Sequence, residues 1–354
     1  MASPPPIHGR GSADNPATRF IPLHYVRDDS PLDDDDPAPS TRFYHDASRS
    51  ILSANDSPDI PFTFSVNPYR GCEHGCIYCY ARPTHEYLSF SAGLDFETRI
   101  LVKDDAPELL RRELDSPKWE PQPISFSGVT DCYQPVERRL QLTRRCLEVF
   151  RDFRNPVGIV TKNHLVTRDV DVLRPLAEVQ AAVVLISITT LDLELARVME
   201  PRASIPTARL RAIEQLTAAG IPTGVMVAPV IPGLTDHEMP NILKAARDAG
   251  AVAAAYVMLR LPSVVAQLFE QWLEQHFPER KEKVLGRIRE LRGGELNDSN
   301  FGTRMTGVGM WADLFRNLFR VSKKKHGYPE GFPPLNCGAF QRRRPVQRFL
   351  FDTE

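Results

Sequence analysis

The chain has 354 residues, enough for one large core in one domain or two. Charged residues make up 25% and the formal net charge is −1, which excludes polyanion binding by bulk electrostatics and leaves any nucleic-acid affinity to a local patch. The start, Met1-Ala2-Ser3-Pro4-Pro5-Pro6, lacks the regions of a signal peptide, and no apolar run reaches the ~18 residues of a bilayer span, so a cytoplasmic protein with reduced thiols and no membrane partner is expected.

Residues 1–60 are rich in Pro, Ser and Asp, with Asp33-Asp34-Asp35-Asp36 beside Pro31 and Pro37; this composition predicts a largely disordered arm. From residue 61 apolar runs alternate with amphipathic stretches. Strands are expected at 62–66, 124–126, 157–161, 183–188, 223–227 and 253–258, and helices at 107–113, 137–153, 168–179, 206–219 and 235–249. The fourth helix stops at Gly220-Ile221-Pro222. The fifth opens with a capping box, Thr235 and Glu238, and stops at Gly250. Six strand–helix units in succession imply an α/β fold with a parallel sheet, too few for a closed eight-unit barrel. Ligands of such sheets sit at the strands' carboxyl ends. Helices at 263–276, 278–291 and 301–320, followed by a basic tail, make 261–354 an extension capping the open side of the core at 61–260.

Three of the six cysteines, Cys72, Cys76 and Cys79, follow the first strand at C-x3-C-x2-C spacing. Thiolates so spaced can hold three irons of a cubic iron–sulfur cluster and leave the fourth iron open to chemistry. Three close thiols cannot all pair as disulfides. Zinc with His74 or His85 as fourth ligand is the competing reading, although structural zinc sites usually combine two separated ligand pairs. Cys132, Cys146 and Cys337 are solitary.

The surrounding residues carry a family resemblance. Asn67-Pro68-Tyr69-Arg70-Gly71-Cys72, with the aromatic Tyr78 directly before the third cysteine, resembles the radical S-adenosylmethionine (radical SAM) superfamily. Tyr80-Ala81-Arg82-Pro83-Thr84-His85-Glu86-Tyr87, Thr161-Lys162-Asn163 and Ala228-Pro229-Val230-Ile231-Pro232-Gly233 are similar to an uncharacterised bacterial group in its spore-photolyase-like branch, from about Arg10 to about Trp311. The resemblance implies a partial (β/α)6 TIM-like barrel, a [4Fe-4S] cluster on Cys72, Cys76 and Cys79, and SAM chelated by the open iron. It also implies an electron donor of the reductase or flavodoxin type, and a lesion or modified base in DNA as one substrate class beside proteins and small molecules. A cluster-bearing sensor or adaptor that docks on DNA machinery without turnover is the alternative.

The same resemblance assigns site residues. Thr130 and Asp131 would face SAM's methionyl group, where a hydroxyl can donate to the carboxylate and a carboxylate can accept from the amino group; a helix cap is the structural alternative. Lys162 would place a cation beside the SAM carboxylate, and Arg202 could form a second clamp. Ser187 and Thr189 end the fourth strand as polar residues suited to the ribose. Tyr78, with the apolar run Gly224–Val230 and Tyr256–Met258, would shelve the adenine. Relatives keep a hydrogen-donating cysteine where this chain has Val129. Cys132, three residues on, is then either a displaced donor or an ordinary loop residue, and Tyr80, Tyr87 and Tyr133 are candidate radical relays.

The carboxyl end is locally basic, with Arg316, Arg320, Lys323-Lys324-Lys325 and Arg342-Arg343-Arg344. The final Gln347-Arg348-Phe349-Leu350-Phe351 is similar to the Q-L-x-L-F pattern by which bacterial DNA enzymes dock on the replication sliding clamp, departing from it at Arg348.

Overall fold

The computed structural model describes residues 5–20 and 40–342; the clamp-like peptide and the Asp33–Asp36 run lie outside them. The chain first forms β1 (Arg42–His45), β2 (Leu52–Ala54), β3 (Phe64–Val66) and β4 (Tyr69–Arg70). Then come α1 (Leu94–Thr98), β5 (Arg99–Val102) and α2 (Ala106–Asp115). β6 (Ile124–Phe126), α3 (Glu137–Leu140), α4 (Leu142–Phe153), β7 (Val157–Thr161), α5 (Val170–Glu178) and β8 (Ala182–Ser187) continue the alternation. α6 (Leu193–Met199), α7 (Pro206–Ala218), β9 (Thr223–Val230), α8 (Met239–Asp248) and β10 (Ala253–Met258) complete the core. The extension holds α9 (Val265–His276), α10 (Lys281–Leu291) and α11 (Gly309–Lys325).

β3, β6, β7, β8, β9 and β10 are the six expected strands, parallel and in chain order, with β2 added antiparallel outside β3. The sheet does not close, and its curl is set by the right-handed twist of each strand pair. Alternate strand residues Phe126, Ile159, Val184 and Val225 and the helix residues Leu147, Phe150, Leu173, Ile213 and Ile242 form the main core between sheet and helices. Full burial of each such side chain contributes about 1.5–3 kcal/mol.

The open seam is bridged by the extension. Met258 at the end of β10 bonds through its amide to the Met305 carbonyl at 2.9 Å. From the same loop Arg304 Nε meets Asp59 at 2.5 Å, and the Gly302 amide donates to Asp59 at 2.7 Å, just before β3. α9 and α10 supply Phe269, Trp272, Leu285 and Ile288 to a second core that includes Ile77 and Tyr78. The extension therefore packs on the cysteine loop itself.

Several expectations need correction. Within the largely loose arm expected for the first sixty residues, 42–45 and 52–54 form strands, and Gly11, Asn15 and Arg19 bond to the body. The expected helix 137–153 is two helices, broken at Gln141 with φ 52°; the turn lets the Glu137 carboxylate accept from the Thr143 amide at 3.0 Å and from Tyr69 Oη at 2.5 Å. The capping box does not form, because Glu238 reaches instead to Thr190 Oγ1 (2.6 Å) and the Leu191 amide (2.7 Å). The last helix starts eight residues late (309 against 301), since Gly302, Gly307 and Gly309 all take positive φ in the turn that carries Arg304. Among the described residues no helix is long and apolar enough to cross a membrane.

Candidate active site

The cysteine loop follows β3 and β4 and lies at the carboxyl ends of the parallel strands. Its conformation is fixed from several sides. Gln134, after β6, spans Cys72, accepting from the Glu73 amide (2.9 Å) and donating to the Gly71 carbonyl (3.1 Å). The Glu73 carboxylate in turn accepts from the Val136 amide at 2.7 Å. The Cys72 amide donates to Phe96 and the Ile77 amide to Met199. Arg82 is fully buried and donates to the carbonyls of Gly75 and Cys76.

All three cysteines are free thiols, with Cys72 and Cys76 buried. Burial pushes all three up from the ordinary thiol range. Opposing groups are in place: the Asp131 amide at Cys72, Lys162 and Arg209 at Cys76, and Arg82 at Cys79. Buried thiols that repel one another's charge, with cations and an amide beside them, are suited to being deprotonated by iron and not as free thiolates. The residues present thus fit a cluster. His74 is committed elsewhere, with Nδ1 3.4 Å from Asp131 and Nε2 3.2 Å from Asn163 Nδ2. His85 packs between Phe90 and Phe96, at ring distances of 5.3 and 5.6 Å. Among the described residues no three His, Cys, Asp or Glu side chains converge as one metal ion requires.

The structure brings together Tyr78, Lys162 and Thr189, and Ser187 joins them only through Arg209. Lys162 Nζ contacts Thr189 Oγ1 (3.2 Å), the Ala228 carbonyl (2.9 Å) and Glu200 (3.2 Å), and lies over the Tyr78 ring at 5.6 Å. Thr189 Oγ1 is 2.8 Å from Glu200, and Tyr78 Oη donates to the same carboxylate. The Ser187 carbonyl accepts from Arg209 at 3.0 Å. Glu200 is the hub: Arg209 closes its other oxygen, so the carboxyl is held well below its usual range by Arg209 and Lys162 despite burial.

Asp131 ties its own loop to the end of β7, accepting from Thr161 Oγ1 (2.8 Å), the Lys162 amide (2.8 Å) and the Tyr133 amide (2.9 Å). Thr130 locks the loop ahead of the cysteines: its Oγ1 donates to the Tyr69 carbonyl and accepts from Asn67 Nδ2. Arg202 sits apart from the Lys162 group, paired with Glu73 at 3.1 Å. Cys132 is fully buried in the main core, whereas Val129 is 42% exposed. Of the tyrosines, Tyr133 points to Asp169 (3.0 Å), and Tyr87 stacks at the surface with Phe20. Tyr80 stands next to Cys79, its ring under Arg260 at 5.1 Å and its hydroxyl on the Gly128 carbonyl at 2.9 Å.

Glu200, Arg209, Arg82, Glu97, Gln134 and Asn163 went unassigned from sequence. One had a legible signal. Arg209 falls on the apolar stripe of its helix with Ala212, Ile213 and Leu216, and a charge at such a position implies a buried partner.

A partial parallel α/β barrel with three free thiols on one loop at its strand ends is the architecture of enzymes that carry an iron–sulfur cluster in the barrel mouth. The Radical SAM superfamily model matches residues 66–246, and the chain belongs to that superfamily. It is 38% identical over 234 residues to an uncharacterised protein of Mycobacterium tuberculosis, covering 66% of this chain and 68% of that one. An uncharacterised Methanocaldococcus jannaschii protein is 27% identical over 221 residues, 62% of this chain and 79% of its own. Among solved structures, spore photoproduct lyase with bound AdoMet and dinucleoside spore photoproduct has a TM-score of 0.59 and 16% identity, covering 80% of this chain and 79% of that one. That likeness shows the fold. Membership implies a [4Fe-4S] cluster and SAM as cofactors.

Proposed function

We propose that this chain is a radical SAM enzyme in which Cys72, Cys76 and Cys79 each ligate one iron of a [4Fe-4S] cluster. The observation that carries the reading is the set of three free thiols on a loop anchored at the strand ends by Gln134, Arg82 and Glu73. When bound, the reduced cluster and SAM supply a 5′-deoxyadenosyl radical that abstracts hydrogen from a C–H bond.

The chain's own residues bind and orient. Lys162 presents a cation beside the loop, and Thr189 holds it there through Oγ1. Tyr78, its hydroxyl fixed on Glu200, offers a held ring edge to the adenine. Thr130 and Asp131 act by rigidifying the loop and the end of β7, with Asp131 setting the Lys162 backbone. Arg202 keeps Glu73 in place. A one-electron donor of the reductase or flavodoxin type would reduce the cluster.

For the substrate, a lesion or modified base in DNA is the reading best supported. A fold neighbour is a lyase with a bound dinucleoside spore photoproduct, and α11 carries Lys323, Lys324 and Lys325 in its last turn. Cys132 is buried, so a hydrogen return through it would need another route than direct contact at the mouth.

The test is anaerobic reconstitution followed by SAM and a strong reductant. Release of 5′-deoxyadenosine is expected, and Cys72→Ala, Cys76→Ala and Cys79→Ala should abolish it together with the cluster's absorption. A cluster with no SAM cleavage would favour a sensor or adaptor; stoichiometric zinc in a colourless protein would overturn the assignment. Transfer of deuterium from labelled DNA into 5′-deoxyadenosine tests the substrate class.

A further inference from the structure

The amino-terminal segment lies against the cysteine loop at a distance that permits no side chain. A Cβ on Gly11 would fall 1.7 Å from the Gly75 carbonyl oxygen, inside the loop between Cys72 and Cys76. The contact is held by a buried carboxylate. Glu97 accepts from the Gly11 amide (3.1 Å) and the Ser12 amide (2.9 Å) and pairs with Arg82 at 2.6 Å. Arg82 passes the connection on, donating to the Cys76 carbonyl from Nε (3.0 Å) and Nη2 (2.9 Å). Both members of the ion pair are fully buried. Asn15 pins the segment further along, exchanging two hydrogen bonds with Asp95 (2.9 and 3.2 Å).

We propose that residues 9–15 form a wall of the cluster site, and that Glu97 is a positioning residue through which this wall governs how tightly the cluster is held and at what potential. The proposal rests on the cluster assignment above. Arg82 is a buried cation beside Cys79, and the net charge and hydrogen bonding around a cluster set its potential. Glu97 neutralises that cation, and the two arm amides share its negative charge. Outer-shell partners of this kind typically change metal affinity by about 10- to 100-fold when removed.

The test uses the full chain, reconstituted anaerobically. Gly11→Ala and Glu97→Gln should both lose iron to a chelator, with affinity down about 10- to 100-fold. Glu97→Gln, which leaves Arg82 uncompensated, should also move the cluster's midpoint potential in the positive direction, while the charge-conserving Glu97→Asp stays near wild type. Arg19→Ala, which removes the guanidinium from Glu86 at the arm's partly exposed end and keeps the Arg19 amide on that carboxylate, should retain iron as wild type does. In the wild-type chain, loading the cluster should slow hydrogen exchange at Gly11 and Ser12, a readout that needs no variant. Wild-type iron retention and potential in folded Gly11→Ala and Glu97→Gln would overturn the proposal, as would exchange unaffected by loading. A wild-type chain that takes up no iron would overturn the cluster reading beneath it.

Discussion

Lys162 Nζ lies 3.2 Å from a Glu200 carboxylate oxygen, and Arg209 occupies the other oxygen of the same group. One buried anion thus orients the lysine, the Tyr78 hydroxyl and Thr189 together. The two cations are not equivalent: Arg209 is 1% exposed on its side chain, Lys162 15%. Glu200→Gln strands a buried guanidinium and should cost about 3–5 kcal/mol in chemical denaturation. Lys162→Met leaves the Glu200–Arg209 pair intact and should cost less, about 1–3 kcal/mol.

His85 is buried and neutral, and desolvation depresses its pKa from 6.5 to about 4. Its folded value lies below its unfolded value, so between these limits the unfolded chain binds more protons and stability rises with pH. The contribution is complete above pH 6.5 and is lost progressively down to about pH 4, amounting to at most about 3 kcal/mol. Denaturation of the apo-protein at pH 7 and pH 5 should show this loss, and His85→Leu should reduce it.

Cys132 packs with Tyr133, Cys146 and Phe150 in the main core. Cys132→Ala should leave SAM cleavage near wild type while lowering stability by about 1–2 kcal/mol through lost packing. Unchanged stability with loss of turnover on a substrate would reassign the thiol to chemistry.

The seam latch predicts a local effect. Arg304→Ala removes the Asp59 pair and the contact to Ser57. Hydrogen exchange should accelerate about tenfold at residues 55–60 and 300–307, matching roughly 1.4 kcal/mol of local stability, with the sheet amides of β7 and β8 unaffected.

The alternation of apolar runs made the six strands legible, and 124–126, 157–161 and 253–258 match to the residue. The first of these is buried along its whole length, the second alternates buried with half-buried positions and the third carries three half-buried residues, so short apolar runs and not strict alternation mark their boundaries. The cysteine spacing located the site because ligand spacing is a local property. What stayed hidden was tertiary. Glu238 looks like half of a capping box until Thr190, 48 residues away, takes it. β1 and β5 pair only because the chain returns after the cysteine loop, and nothing in Arg42–His45 announces that partner. Glu97 carries no local signal, because the amides that its buried carboxylate accepts from, Gly11 and Ser12, lie more than eighty positions away.

The Gly11–Glu97 bond spans 86 positions of sequence. During synthesis the arm leaves the ribosome first and the cysteines next, and the carboxylate that ties them together emerges last. The loop between Cys72 and Cys76 is thus uncovered in the growing chain for the whole interval before Glu97 appears.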